Sequence, residues 1–219
     1  MSNNLAIATV TRVLQGLVQQ AVGSVVPGAG VLTRRPAKIA DGEQQGASVN
    51  VFLFQATAND TWRNEDLPTR SADGTLRRRP RLGVDLHFML SFHGDDAALV
   101  PQRMLGAVLA ELHREPRLTA PAIRAAIATA GGRQGPLAGS DLADQVESIT
   151  LTLQRPTLEE LSKIWSVLFQ VPYSLSAFYV ASAVFLEPDV QPVPVARVGE
   201  AGVVVDVTAQ VPRREVPAP

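Results

Sequence analysis

The residues of this chain that come closest to a reactive site are Asp85 and His87. They lie two positions apart in a segment that alternates apolar and polar residues, so both side chains fall on one face of a predicted strand. His93 shares that face if the strand stays regular, and a carboxylate with two imidazoles could hold a metal ion. We favour a polar strand face, at the surface or in an interface, as the interpretation of this pattern.

Arginines form the second group with chemical potential, and Arg77, Arg78, Arg79 and Arg81 cluster together. Between residues 60 and 81, six arginines and four acidic residues leave a local charge of +2, which is weak for binding phosphates. Trp62 is the one aromatic residue in this stretch that could stack on a base. We therefore predict a solvated or protein-contacting loop, and no nucleic-acid partner.

The composition excludes whole classes of chemistry. The 219 residues carry 20 basic and 21 acidic side chains, a formal charge of −1, and include no cysteine. Disulfides, zinc–thiolate sites, iron–sulfur clusters and cysteine nucleophiles are therefore excluded. The sequence also lacks a GxxxxGKS/T loop, a GxGxxG after a strand, an HExxH motif and a GxSxG elbow. We therefore expect no cofactor. Hydrophobic residues make up 46% of the chain, which is enough for a packed core.

Hydrophobic periodicity indicates the elements that must position these residues. Three-and-four spacing predicts helices, alternation predicts strands, and Gly and Pro mark their ends. Thr157 and Glu160 form a capping box that opens one helix. In chain order the pattern predicts a helix at 4–21, allows a short edge strand within 31–47, and predicts strands at 48–57 and 84–92, a helix between Asp95 and Pro116, a helix at 119–130, a strand at 146–154, a helix from 157 and a strand at 175–186.

Two long stretches lack periodicity. About 25 residues, among them Trp62, separate the two strands at 48–57 and 84–92, and a connection of this length is usually a functional loop or a disordered one. From Pro188 onward six of the 16 prolines fall in the last 32 residues, although 203–207 could add a strand. The prediction is one α+β domain, residues 1–187, with four to five strands and about four helices, and a proline-rich C-terminal extension or arm, residues 188–219.

One segment is long and uncharged enough to raise the question of a membrane span. Residues 164–186 are 23 consecutive positions without a charge, which is sufficient to cross a bilayer. Pro172 interrupts them, with helical spacing before it and alternation after it. We therefore predict the end of a helix followed by a strand, no membrane partner and, from the residues at the start of the chain, no secretory signal.

Several blocks of sequence, in order and with sensible gaps, resemble a known family. They are 62–68 (WRNEDLP) with Arg70 and Gly74, 80–90 (PRLGVDLHFML), the helix of Leu105 and Gly106 after Asp95 and Asp96, and 155–165 (RPTLEELSKIW) followed by 173–179 (YSLSAFY). The series is similar to the cap, or tail-terminator, proteins of extracellular contractile injection systems, the phage-tail-like particles of the virulence-cassette and antifeeding-prophage types. The resemblance covers residues 5–187.

The resemblance implies a structural protein without enzymatic activity. It implies a compact α+β core with a mixed sheet, and a homohexameric ring on the baseplate-distal end of the inner tube. Such a ring ends polymerisation of tube and sheath and holds the last sheath layer. The implied partners are further copies of the chain, the inner-tube protein and the sheath protein. The expected setting is assembly in the cytoplasm, as part of a particle that can be released.

A ring of this kind needs contacts between neighbouring subunits, and the two aperiodic stretches suit that task. We expect the loop 59–81 and the arm after Pro188 to supply these contacts. Trp62 would be an anchor and the arginines rim or cross-subunit ion-pair donors, although core packing is the alternative for Trp62 and the favoured interpretation for Trp165. The residues proposed for the interface with subunits, tube or sheath are Trp62, Arg63, Asp66, Arg70, Arg77, Arg78 and Arg79.

Two other functions remain open at this stage. A monomeric adaptor could bind the tail through its proline-rich arm, in which case removing residues 188–219 would abolish binding. A small α+β enzyme could instead use a site built on Asp85, His87 and the long loop, and would present a ligand or metal in a deep pocket.

Overall fold

The computed structural model describes residues 3–36, 46–62, 81–168 and 171–187. Most of the loop 59–81, the arm after Pro188 and the strand considered at 203–207 lie outside these residues. In chain order the elements are α1 (Ala6–Val25), β1 (Gly30–Leu32), β2 (Ser48–Ala58), β3 (Leu82–His93), α2 (Val100–Arg114), β4 (Arg117–Leu118), α3 (Ala120–Thr129), β5 (Ile149–Gln154), α4 (Leu158–Val167) and β6 (Ser176–Leu186), with single 3₁₀ turns at Gly132–Gln134 and Leu142–Asp144.

The strands form one six-stranded sheet in the order β1-β2-β3-β6-β5-β4. The β1–β2 pair is parallel and the other pairs are antiparallel, so the sheet is mixed. This confirms the predicted α+β class, with six strands among the described residues in place of the four to five expected. The additional strand, β4, is two residues long, too short for alternation to be visible in the sequence.

The larger hydrophobic cluster lies between one face of the sheet and the helices α1, α2 and α3. On β3, Phe88, Leu90 and Phe92 project into it at every second residue and are almost fully buried. Val10, Leu14 and Val18 enter the same cluster from α1 at every fourth residue and are fully buried. Alternation on strands and helical spacing on α1 therefore specify one continuous core.

The opposite face of the sheet carries a second, smaller cluster under α4. Met89 and Phe178, cross-strand partners on β3 and β6, contact Trp165 and Leu168 there. Trp165 is 8% exposed, so the core interpretation of this residue is confirmed. The capping box at the start of α4 is present: the Thr157 side chain accepts from the Glu160 backbone, and the Glu160 carboxylate accepts from the Thr157 backbone.

Two expectations near the ends of elements are settled by local contacts. The strand predicted from residue 146 begins at Ile149, because the Gln145 side chain holds a turn by donating to the Glu147 carbonyl at 2.8 Å, and this leaves Val146 92% exposed. The uncharged segment 164–186 divides between α4 and β6 as predicted. In the part of the chain that the structure describes, no helix has the length and apolar character needed to cross a bilayer.

Candidate interface at the loop end of the sheet

The loop 59–81 and the C-terminal arm leave the domain at the same end of the sheet, which we call the loop end. β2 and β6 each run antiparallel to the strand between them, so Ala58 and Leu186 finish where Leu82 begins. Leu82 pairs with Leu186, and Gly83 with Phe185. The loop 59–81 therefore joins β2 to β3, and the arm leaves from β6 on the other side of β3, at the same end of the sheet.

Asn59 fixes the direction in which the chain leaves β2. Its backbone N–H donates to the Gly83 carbonyl at 2.9 Å, which extends the ladder by one residue. Its side-chain oxygen accepts from the backbone N–H groups of Thr61 at 3.0 Å and Trp62 at 3.2 Å, which is the geometry of an Asx turn. Its Nδ2 donates to Asp85 Oδ1 at 2.7 Å. A buried amide thus satisfies the first turn of the loop.

Trp62 packs on the sheet directly after this turn. Its ring meets Phe185 edge-on, with 5.2 Å between centroids and an interplanar angle of 79°. Gly83 makes this approach possible, since a Cβ at that position would lie 2.9 Å from the Trp62 Cβ. Trp62 is half-buried, so one part of the indole is held by its own domain and the other part lies at the surface.

Arg81, at the end of the loop, contacts both Glu147 and Phe185. The Nη1 of Arg81 lies 3.0 Å from Glu147 Oε1, and both side chains are largely buried, at 11% and 20% exposure. The guanidinium carbon lies 4.7 Å from the Phe185 ring centroid, within cation–π distance. Trp62, the last described residue before the gap in the loop, and Arg81, the first one after it, therefore both contact Phe185, the penultimate residue of β6.

A bulge in β6 positions Phe185. The β3–β6 register shifts between Val84 and Leu86, and Ala183 adopts a left-handed conformation with φ of +64°. Asp85 Oδ1 accepts from the Ala183 N–H at 3.4 Å. Gln145 donates to the Ala183 carbonyl at 2.8 Å and accepts from the Phe185 N–H at 3.1 Å. Asp85 and Gln145 therefore hold the irregular backbone from two sides, which uses Asp85 as a structural acceptor.

The histidines singled out in the sequence have separate polar partners. His87 Nε2 lies 3.0 Å from the Thr57 hydroxyl, and its ring is tilted against Phe54. His93 lies between the hydroxyls of Ser91 at 3.1 Å and Ser174 at 3.3 Å. Burial, together with the nearby charge of Arg34, lowers the pKa of His93. Within the described ranges no three His, Asp or Glu side chains form a group that could hold a metal.

Apolar side chains remain uncovered at the loop end. Leu82 is 53% exposed and Val146 is 92% exposed, next to the buried Arg81–Glu147 pair. Among the seven proposed interface residues, Trp62 lies within the described residues; Arg63, Asp66, Arg70, Arg77, Arg78 and Arg79 lie outside them. Four further residues of this site are not identified by the sequence pattern: Asn59, Gln145, Glu147 and Phe185. An Asn followed by Asp60 at the end of a strand is a turn signal that could have identified Asn59.

Comparisons with known proteins agree with this architecture. A family model described as the Pvc16 N-terminal domain matches residues 9–200. The structure is similar to a sheath/tube terminator of an extracellular contractile injection system, PVC, in the extended state, with a TM-score of 0.52 and 15% identity over 94% of this chain and 65% of that chain. It is also similar to the anti-feeding prophage cap, a tube-terminating cap, with a TM-score of 0.50 and 16% identity over 87% of this chain and 59% of that chain.

The chain spans just under two thirds of the length of the first solved structure and about 59% of the second. No curated protein sequence matches it. At these identities the solved structures establish a shared fold, and the family model, which covers most of the chain, establishes kinship. The resemblance found in the sequence is confirmed, and the chain belongs to the Pvc16 N-terminal domain family.

Proposed function

We propose that this chain is a structural cap that forms a ring on the baseplate-distal end of a contractile injection particle. In this role it ends polymerisation of the inner tube and of the sheath, and holds the last sheath layer. The observation that carries the proposal is the fold shared with a sheath/tube terminator over 94% of the chain. The cap acts by binding and geometry, without enzymatic activity, a cofactor, a nucleic acid or a membrane.

The loop end suits the contacts that a ring requires. A closed ring is built from a heterologous interface, in which one surface of each subunit meets a different surface of the next. Two long segments start at the same end of the sheet, from strands on either side of β3, near the exposed Leu82 and Val146. We assign the subunit, tube or sheath contacts to Trp62, Arg63, Asp66, Arg70, Arg77, Arg78 and Arg79. The partners are five further copies of the chain, the inner-tube protein and the sheath protein.

The setting of the cap follows from that of its structural relatives. The solved terminators are parts of an extracellular contractile injection system and an anti-feeding prophage. We infer assembly of this chain in the cytoplasm and its inclusion in a particle that can be released. We assign the body that polymer termination needs to the domain of residues 1–187, and further contacts to the arm at 188–219.

A tube-growth experiment tests the proposal. The inner-tube protein of the same particle is polymerised with and without the full chain, and tube lengths are measured by electron microscopy. A cap present at a few copies per tube stops growth and shortens the length distribution. An adaptor binds the tube without changing its length. Light scattering behind a sizing column measures the native mass of the same sample, for which a sixfold value is expected.

A further inference from the structure

Within the described part of the chain, the outer edge of β2 has unpaired backbone groups over most of its length. β3 pairs with one side of the strand throughout, whereas β1 pairs with the other side at residues 48–50 alone. Among the described residues no strand pairs with the outer side of residues 51–58. Backbone N–H and C=O groups alternate along such an edge and form a template for another strand.

The chemistry of this edge is unusual for one that stays free. Natural sheets protect free edges with charged residues, with proline or with short strands. β2 is 11 residues long and contains no charge and no proline. β5 also extends past its outer partner, by four residues, and then meets Arg155 and Pro156. A bulge between Leu53 and Gln55 is the one irregularity in the β2 register.

The C-terminal arm starts near this edge and contains a strand-forming run. β6 ends at Leu186 at the same end of the sheet as Ala58, two strand spacings away, or about 10 Å. The run at 203–207 reads Val-Val-Val-Asp-Val, a composition that favours strands. Residues 187–202 separate it from β6, and a linker of that length reaches up to about 50 Å, enough to cross to an adjacent subunit.

We infer that residues 203–207 of one copy add as a strand to the outer edge of β2 in a neighbouring copy. Residues 203–207 are the donor run and the outer side of residues 51–58 is the acceptor edge. They are different surfaces of the same chain, which is the relation that a ring of identical subunits needs. Pairing within one chain would satisfy the edge but would link nothing. The inference rests on the proposed ring, and its test keeps the two apart.

Disulfide trapping tests this arm exchange, and the chain is suited to it because it has no cysteine of its own. Ala56 and Ala58 are exposed edge residues, and Ala56→Cys and Ala58→Cys each place one thiol there. Val204→Cys and Val205→Cys place one thiol on each side of the donor run. An edge variant and an arm variant are mixed and oxidised, and the expected product is a two-chain species on a non-reducing gel.

Matched controls separate this product from chance contacts. Val193→Cys puts a thiol in the same arm between Pro192 and Pro194, outside the donor run, and should give at least tenfold less of the two-chain species. A second control adds Val205→Pro to the chain that carries Ala56→Cys. Proline disrupts strand pairing by the arm of that chain, so this arm should compete poorly with the cysteine-bearing arm for the β2 edge. Each single variant oxidised alone reports links between identical positions.

Each outcome decides the question. No mixed species at either edge position overturns the inference. A chain with both cysteines that links to itself, without joining copies, also overturns it and assigns the edge to its own arm. The native mass of the same samples is read separately. A sixfold mass without the link removes arm exchange and leaves the ring, whereas a link without a sixfold mass supports arm exchange and rejects the six-membered ring.

Discussion

The ring of Trp62 lies edge-on against Phe185, with 5.2 Å between their centroids. Trp62 lies in the first turn of the long loop, and Phe185 is the penultimate residue of the strand that leads to the C-terminal arm. The contact ties the start of the loop to the start of the arm, so a force or a ligand that moves one acts on the other.

Removing the indole should weaken the domain. Trp62→Ala loses the packing against Phe185 and over Gly83, and the free energy of unfolding should fall by about 2 kcal/mol, less than for a fully buried tryptophan. Urea unfolding measures the effect, and Trp62→Phe, which keeps a ring on Phe185, should cost less. An unchanged unfolding midpoint in Trp62→Ala, with loss of self-association, would assign Trp62 to the subunit interface alone.

The bulge in β6 predicts a position at which glycine is tolerated or stabilises the fold. Ala183 has a φ of +64°, a conformation that costs a residue with a Cβ about 1 kcal/mol or more. Ala183→Gly should therefore leave the melting temperature unchanged or raise it, despite the entropy of the added glycine. The matched control is Ala181→Gly, a fully buried position in the regular part of the same strand, which should lower it. A clear loss of stability in Ala183→Gly contradicts the assignment of strain.

The environment of His93 predicts a pH dependence. Burial first, and the charge of Arg34 second, lower the pKa of His93 in the folded chain, whereas the unfolded value is about 6.5. The unfolded chain therefore binds the proton more readily than the folded chain. As the pH falls from about 6.5 towards the folded pKa, protonation of His93 reduces the free energy of unfolding, and well above pH 6.5 it has no such effect. Stability is compared at pH 7.5 and pH 5.5.

The matching variants separate the two causes of the shift. His93→Gln should reduce the loss of stability between these pH values. Arg34→Gln should reduce it by a smaller amount, because burial remains. Equal pH profiles for His93→Gln and the unchanged chain would show that protonation of His93 does not change the stability of the fold between pH 5.5 and pH 7.5.

The long loop should be dispensable for folding and necessary for assembly. Residues 64–79 are replaced by a short Gly/Ser linker, while Trp62 and Arg81 keep their contacts with Phe185. The melting temperature should stay close to that of the unchanged chain, and the native mass should fall to that of a monomer. A sixfold mass after this replacement would remove the loop from the subunit interface.

The sequence predicts the long elements well, for a physical reason. Strands such as β3 and helices such as α1 bury one face, so their period is written in the order of apolar residues. β4 carries no such pattern because backbone bonding defines it: the Leu151 N–H donates to the Pro116 carbonyl beside it. The strand start at residue 146 was predicted too early because Val146 and Ser148 continue the alternation of β5 into a turn held by Gln145.

The candidate interface could be predicted only in part. Trp62 stood out as an aromatic residue in a long loop, but its partner Phe185 belongs to a distant strand, and strand order is set by packing of the whole sheet. The same holds for Asp85, whose position on a polar strand face is apparent in the sequence. Its bonds to Asn59 and to the Ala183 backbone depend on a turn and a bulge that only the folded chain defines.

The hydrophobic clusters on the two faces of the sheet differ in size, so the helices that cover them should differ in their resistance to local unfolding. α4 rests on a handful of side chains around Met89 and Phe178, whereas α1, α2 and α3 share the larger core. The amide protons of α4 should therefore exchange with solvent well before those of the central strands. A local opening of this kind would uncover the aromatic side chains Phe52 and Phe54 while the rest of the sheet stays intact.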